Sequence, residues 1–252
     1  MPVSTENMVK VFGRPKSLNE AQFSYCPGCH HGVITRIIAQ AIDELDIRER
    51  TVLVAPVGCS VSMYQWFRCD GIQASHGRAC AVATGIKRVN PDLIVFTYQG
   101  DGDLAAIGTA ESIHAANRGE NITVVFINNQ IYGMTGGQMA PTTLIGQWAT
   151  SCPEGREGSL AGYPIRFAEM VAQLEAPVYV TRQSLYDQKR IMATSRAIMK
   201  AFRYQVEGKG YSLVEVLTNC PTNWKMSPVE TNRRLADEVV KTFPLGDLVD
   251  RG

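Results

Sequence analysis

The sequence predicts an α/β fold, a mostly parallel sheet with helices on both faces. Three observations point there. Short continuous apolar runs alternate with stretches of helical periodicity, the pattern of parallel strands joined by helical crossovers. The runs Leu93-Ile94-Val95-Phe96 and Ile122-Thr123-Val124-Val125-Phe126-Ile127 lack regular polar alternation, as strands covered on both faces do. Glycine- and asparagine-rich turns follow these runs, at the strand ends where open α/β sheets bind ligands.

The elements follow in order. Residues 1–24, with Pro2, Gly13 and Pro15 among polar residues, read as an extended arm. Helical periodicity over 32–47 places Val33, Ile34, Ile37, Ile38, Ala41, Ile42 and Leu45 on one stripe. A short strand over 52–55 ends at Pro56. Residues 57–78 are loop-rich and carry Gly58, Cys59, Gly71, His76 and Gly77. A small-residue helix over 79–88 stops before Asn90-Pro91. A strand over 93–99 runs into Gly100-Asp101-Gly102, a helix spans 104–118, and a strand over 122–127 ends at Asn128-Asn129. The chain is then turn-rich to about Gly162, and a loop that long in a compact domain is usually functional or mobile. Helix 167–174, strand 178–182, helix 187–206 and strand 211–217 complete the alternation. The division is an arm at 1–24, an α/β domain at 25–220 and a C-terminal tail at 221–252. The tail has Pro221, Pro228 and Pro244 and one helical piece near 229–241.

At 252 residues the chain fits one large domain or two small ones and can bury a sizeable core. A net charge of +1 gives no electrostatic case for nucleic acid or an anionic membrane, so small molecules and proteins are the expected partners. No apolar stretch approaches the roughly 20 residues of a membrane span. The start lacks the apolar region of a signal peptide, which favours the cytoplasm. Seven cysteines, an odd number, read in a reducing compartment as ligands, catalysts or core residues.

Gly100 and Gly102 let the backbone turn sharply and approach phosphate oxygens. Asp101 offers a hard anionic oxygen to Mg²⁺. The amides of Gly102, Asp103 and Leu104 stand where a helix begins and can receive a diphosphate. Asn129 can add a side-chain oxygen, and the carbonyl of Ile131 a third. Either turn alone is commonplace; both at neighbouring strand ends point to magnesium with a diphosphate, and so to thiamine diphosphate.

Cys26-Pro27-Gly28-Cys29 admits several chemistries. A thioredoxin-like pair would sit at a helix start, as this one does. His30 completes a haem-attachment pattern, which the lack of an export signal disfavours. Cys26, Cys29, His30 and His31 could hold zinc. Cys59 and Cys220 follow strands at the same sheet edge, so four thiolates converging there could hold a [4Fe–4S] cluster. The spacing is unlike the compact ferredoxin run. His114 reads as a packed or half-exposed core histidine, Arg36 and Arg68 as surface or ion-pair residues, and Lys87-Arg88 as charge at a helix C-terminus.

The strings Tyr98-Gln99-Gly100-Asp101-Gly102-Asp103 and Asn128-Asn129-Gln130-Ile131-Tyr132-Gly133-Met134-Thr135-Gly136-Gly137-Gln138 resemble a known signature. It is that of thiamine-diphosphate enzymes, and within them of the thiamine-binding β subunit of 2-oxoacid:ferredoxin oxidoreductases. The resemblance runs from Tyr25 to about Pro228. It implies a thiamine-diphosphate-binding fold, with Mg²⁺ on Asp101, Asn129 and the carbonyl of Ile131. Gly102, Asp103, Gly133 and Met134 would line the diphosphate, with Thr135 in reach. Val57, Gly58, Ser60, His76 and Gly77 would contact the cofactor. Cys26, Cys29, Cys59 and Cys220 match the ligands of one [4Fe–4S] cluster, whereas Cys69, Cys80 and Cys152 match none and read as core or loop residues. His30 stands where relatives often have glycine.

The implied activity is oxidative decarboxylation of a 2-oxoacid, 2-oxoglutarate or a branched-chain one, to acyl-CoA and CO₂ with electrons leaving through the cluster to ferredoxin. Ser62 replaces the lysine that many relatives carry three residues after the third cysteine, which makes a second substrate carboxylate an insecure inference. No activating glutamate is visible, so the resemblance implies an α subunit carrying the pyrimidine-binding domain. It also implies γ and ferredoxin-like δ subunits or free ferredoxin. Two other readings stand beside it: a non-oxidative thiamine enzyme with zinc on its cysteines, and a thiol-disulfide protein using Cys26 and Cys29.

Overall fold

A computed structural model describes residues 12–252, so the expected arm lies outside it for residues 1–11. Residues 12–24 are tied down rather than free. Leu18 is buried and bridges Phe67, and the Ser17 amide and hydroxyl both donate to Asp43 Oδ1.

The elements are α1 (His31–Glu44), β1 (Thr51–Pro56), β2 (Asp70–Ala74), α2 (Ala79–Val89) and β3 (Ile94–Gly100). A π turn (Asp103–Ile107) then leads into α3 (Thr109–Asn117) and β4 (Thr123–Asn128). A small hairpin, β5 (Ile131–Tyr132) and β6 (Gln138–Met139), precedes α4 (Gly158–Ala161), α5 (Phe167–Ala172), β7 (Tyr179–Ser184), α6 (Gln188–Val206) and β8 (Ser212–Leu217). The last elements are α7 (Pro221–Trp224), α8 (Pro228–Arg234), α9 (Val240–Thr242) and β9 (Gly246–Asp250). The main sheet has the order β2-β1-β3-β4-β8-β7-β9. Its pairings are parallel except for antiparallel β7–β9.

The strands β1, β4, β7 and β8 are buried along their whole length, and β3 to its last residue, because helices cover both faces. On one face, Ile34, Ile38 and Ile42 of α1 and Ile198 and Phe202 of α6 pack against Phe96, Tyr98 and Val214. On the other, Ala79 and Ala83 of α2, Ala115 and Ala116 of α3, and Phe167 and Val171 of α5 pack against Val95, Val124 and Phe126. The small residues of α2 and α3 let those helices lie close to the sheet.

Two strands of the main sheet escaped the sequence reading, and both are edges; the two-residue strands of the β5–β6 hairpin lay within the stretch read as turns. β2, within the expected loop 57–78, is exposed at four of its five positions, and β9 is largely exposed. An edge strand with one solvated side has no continuous apolar run to announce it. Residues 221–252 also do more than trail. β9 closes the sheet, and Trp224, Leu235, Val239 and Phe243 bury themselves against Ile131 and Leu144. Their helices start on local signals: Ser227 and Glu230 form a capping box with Pro228 at the first helical turn. His114 is exposed rather than half-buried. Lys87 is buried, and its Nζ donates to the carbonyls of Pro91 and Leu93, closing the end of α2.

Candidate cofactor site

β3 and β4 lie side by side with Gly100 opposite Ile127, so Asp101 and Asn128-Asn129 leave the same edge of the sheet. Asp101 is 2% exposed. Its Oδ1 accepts from the Gly102 amide at 2.9 Å and its Oδ2 from Thr142 Oγ1 at 2.6 Å. Burial pushes its carboxyl up to about 7, against the lowering effect of these donors and of the Gln130 and Ile131 amides. None of the groups acting on it is a cation. A buried carboxylate without a positive partner is costly, and a divalent cation would offset that cost.

The loop after β4 is held in an unusual conformation. Gln130 has φ +58, the left-handed region that ordinary side chains avoid at a cost of order 1–3 kcal/mol. Several bonds hold it there. Its Nε2 donates to Asn128 O and Oδ1 at 2.7 and 2.8 Å, and its carbonyl accepts from Thr143 Oγ1 and Gln147 Nε2. Asn128 Nδ2 in turn donates to Glu215 Oε1 at 2.7 Å, and Glu215 pairs with Arg182 Nε at 2.7 Å. Both members of that ion pair are buried. On either side of Gln130, Asn129 Oδ1 accepts from the Ile131 amide at 3.1 Å, and the Asn129 carbonyl accepts from Trp224 Nε1.

A cavity of about 90 Å³ collects Asp101, Asn129 and Ile131 with Val57, Gly58, Ser60, His76, Gly102, Asp103, Gly133, Met134 and Thr135. Gly77 stands behind this wall. Its amide donates to Asp103 Oδ1 at 2.6 Å, and a Cβ there would lie 2.7 Å from the Gly108 nitrogen. The π turn makes that approach possible, with Gly108 N donating to Asp103 O. The Asp103 carboxylate is therefore engaged with the His76–Gly77 turn: Oδ1 also bonds His76 Nδ1 and Oδ2 accepts from Gln99 Nε2. Asp103 can meet a phosphate through its backbone only. At Gly102 any Cβ would lie 2.0 Å from the Tyr132 ring, so this backbone faces the ring directly. Sequence reasoning gave no role to Thr142, Gln130 or Tyr132, and considered His31 only as a zinc ligand beside the cysteines. Thr142, Gln130 and Tyr132 sit in the turn-rich stretch, where only the clustering of glycine and proline hinted at function.

A second cavity, of about 230 Å³, is lined by Cys26, Cys29, Cys59 and Cys220, all free thiols. It brings together a loop before α1, the turn after β1 and the turn after β8. Asn219 clamps the pieces. Its Oδ1 accepts from the His30 amide at 3.0 Å, and its Nδ2 donates to Gly28 O at 3.0 Å and Thr231 Oγ1 at 2.9 Å. Gly28 has φ +75, and a Cβ there would lie 2.3 Å from Pro228 Cγ. Cys80 lies elsewhere in the core, donating to Gln99 Oε1. Cys69 and Cys152 also lie outside the cavity wall.

Burial, reinforced by neighbouring thiols, pushes Cys29 up to about 12 and Cys59 up to about 11. Neither of these two thiols is activated as an attacking nucleophile. Among the described residues, no three His, Cys, Asp or Glu side chains gather closely enough for a single ion. The four thiols surround a space instead of meeting at a point, which suits a cluster that carries its own volume better than one zinc ion. A divalent cation beside Asp101 would meet one carboxylate, with the neutral oxygens of Asn129 and Ile131 on the same cavity.

Residues 56–216 match the family model of thiamine pyrophosphate enzymes, C-terminal TPP binding domain. The chain is 37% identical over 213 residues to the 2-oxoglutarate synthase subunit KorB of Archaeoglobus fulgidus, covering 84% of this chain and 75% of that one. It belongs to the 2-oxoacid:ferredoxin oxidoreductase family, as a thiamine-diphosphate-binding β subunit. Identity is 49% over 246 residues with the ketoisovalerate oxidoreductase subunit VorA of Methanothermobacter thermautotrophicus, covering 98% of this chain and 52% of that one. The chain thus spans about half the length of that relative. In three dimensions it matches 2-oxoglutarate:ferredoxin oxidoreductase from Magnetococcus marinus with a TM-score of 0.79 at 26% identity. The match covers 98% of this chain and 86% of that one, whose structure holds 2-oxoglutarate, coenzyme A and succinyl-CoA.

Proposed function

We propose that this family member carries both thiamine diphosphate with Mg²⁺ and a [4Fe–4S] cluster, and oxidises a branched-chain 2-oxoacid with coenzyme A to acyl-CoA and CO₂, delivering two electrons singly to ferredoxin. One observation carries the reading. The cavity lined by Asp101, Asn129 and Ile131 adjoins the cavity lined by four cysteines, and the two share the wall at Cys59 and Gly133. A Cβ on Gly133 would lie 3.5 Å from the Sγ of both Cys59 and Cys220.

Asp101, Asn129 Oδ1 and the Ile131 carbonyl hold Mg²⁺, and Thr142 orients the carboxylate. The backbone at Gly102–Asp103 and Gly133–Thr135 receives the diphosphate. Cys26, Cys29, Cys59 and Cys220 hold the cluster, clamped by Asn219. When bound, thiamine diphosphate supplies the electron sink for decarboxylation and the cluster supplies one-electron acceptance.

No glutamate lines the first cavity, so the residue that activates the cofactor belongs to an α subunit carrying the pyrimidine-binding domain. The exposed rim residues Val57 and Met134 suit burial by such a partner. Electrons leave to γ and ferredoxin-like δ subunits or to free ferredoxin. The assembly works in the cytoplasm; among the described residues no helix is long and apolar enough to cross a membrane.

A branched-chain substrate is favoured over 2-oxoglutarate on two grounds. No Lys or Arg lines either cavity, and Ser62 occupies the second, so this chain offers no cation to a second carboxylate. The ketoisovalerate relative is also more similar than the 2-oxoglutarate one, 49% against 37%. The test is an anaerobically purified complex assayed for thiamine diphosphate and iron, then offered a panel of 2-oxoacids with coenzyme A and a viologen. Bound cofactor and about four irons per chain are expected. Absence of both would refute the assignment, and a preference for 2-oxoglutarate would refute the substrate.

A further inference from the structure

The wall between the two cavities is made by His31, Gly58, Cys59, Asn129, Gly133 and Met134. Cys59 and Asn129 have roles above, and glycine and methionine side chains offer no hydrogen-bond donor. His31 is the remaining polar side chain. It is 3% exposed, and its ring stacks on Tyr25 with centroids 4.9 Å apart. Its Nδ1 lies 2.6 Å from the hydroxyl of buried Tyr98. Among the described residues that hydroxyl has no other partner; we assign it as the donor to Nδ1, the arrangement that uses its proton, which places the ring proton on Nε2. Nε2 is buried and has no partner. A buried N–H without an acceptor is rare in a folded protein and calls for one.

We propose that His31 Nε2–H donates a hydrogen bond to a sulfur of the cluster held by the four cysteines, and so raises its reduction potential. The inference rests on the cluster assigned above. Cluster sulfurs are anionic acceptors, and a donor favours the reduced form because that form carries one more negative charge. Thiolate sulfurs are acceptors at hand: Cys29 lies two residues before His31, and all four cysteines line the second cavity with it. A substrate oxygen is the competing acceptor. Val57 and Met134 on the first cavity are exposed, however, whereas His31 is buried. Tyr98 is the positioning residue that fixes the tautomer.

The experiment is potentiometric titration of the cluster, followed by electron paramagnetic resonance, in the whole anaerobic complex. The wild type is compared with His31→Phe, His31→Gln and Tyr98→Phe, with iron content measured in each. A wild type without a cluster refutes the parent assignment, which separates that failure from this one. With iron retained, His31→Phe is expected to lower the reduced-to-oxidised ratio at fixed potential about tenfold, a shift of about 59 mV to more negative values. His31→Gln, which keeps an N–H donor, should restore most of it. Tyr98→Phe should shift in the same direction by less. An unchanged potential in iron-loaded His31→Phe overturns the proposal, and so does a raised KM for the 2-oxoacid at unchanged potential. Should His31→Phe fail to retain iron, Tyr98→Phe decides. It removes only a hydroxyl, and an unchanged potential there overturns the proposal while a lowered one supports it.

Discussion

The two halves of the site are built by opposite strategies. The Asp101, Asn129 and Ile131 ligand set comes from one contiguous unit, β3 through the hairpin after β4, with the two strands paired directly, and the turns after β1 and β2 complete the cavity around it. The half facing the cysteines comes from three separated segments, and Asn219 must bond Gly28 and His30 across about 190 positions to assemble it. The first places its ligand residues by local strand–turn geometry, braced from elsewhere by Thr142, Trp224 and the Glu215–Arg182 pair. The second needs the whole sheet, because Cys59 and Cys220 follow β1 and β8, which β3 and β4 separate. Binding a metal with a local unit and a cluster with a global one makes the cluster half the more fragile of the two.

The largest effect should come from Asp101→Asn. Loss of a direct ligand is expected to weaken thiamine diphosphate loading more than about 100-fold, since even changes to residues behind metal ligands cost 10–100-fold. Iron content should be unchanged, and loss of iron would contradict the independence of the halves. The pH dependence follows from the same carboxyl. Ligation needs the ionised form, so loading should weaken as pH falls through about 7. In metal-free protein the direction reverses. The folded carboxyl titrates above its usual range, so the unfolded chain ionises first, and stability declines as pH rises from that range to about 7. Asp101→Asn should abolish this contribution, as thermal unfolding at pH 5 and pH 8 would show.

Cys220→Ser is the reciprocal probe. Iron and viologen reduction should be lost while thiamine diphosphate binding, read by calorimetry, stays within about threefold, roughly the spread seen among single interactions. A parallel loss of cofactor would mean that the wall at Gly133 transmits the damage. The smallest change is expected for Asn219→Ala. Removing three hydrogen bonds should destabilise the fold by about 1–3 kcal/mol and speed iron release to a chelator, with the initial iron content near normal. An unaltered release rate would show that Gly28 packing on Pro228 suffices to hold the loop.

Legibility in the sequence followed the same division. The buried strands announced themselves through apolar runs, and the Gly-Asp-Gly and Asn-Asn turns through their place at strand ends. β2 and β9 did not, because exposed edges carry mixed polarity. Gln130 and Thr142 are invisible for another reason. What matters in Gln130 is a backbone angle, and in Thr142 a bond to a residue far back in the chain. The shared wall containing His31 exists only once α1 and the turns after β1 and β4 have been brought together.

One consequence of the Gln130 loop concerns how ligands arrive. A strained backbone fastened by its own side chain, by Thr143 and Gln147, and through Asn128 to a buried Glu215–Arg182 pair is set before any metal enters. Little conformational entropy remains to be lost there on binding, so affinity depends on charge and geometry alone. Such a loop also resists adjustment. An ion larger than magnesium, with longer bonds and more ligands, would meet a frame that cannot widen to suit it, and the discrimination would be mechanical as much as chemical.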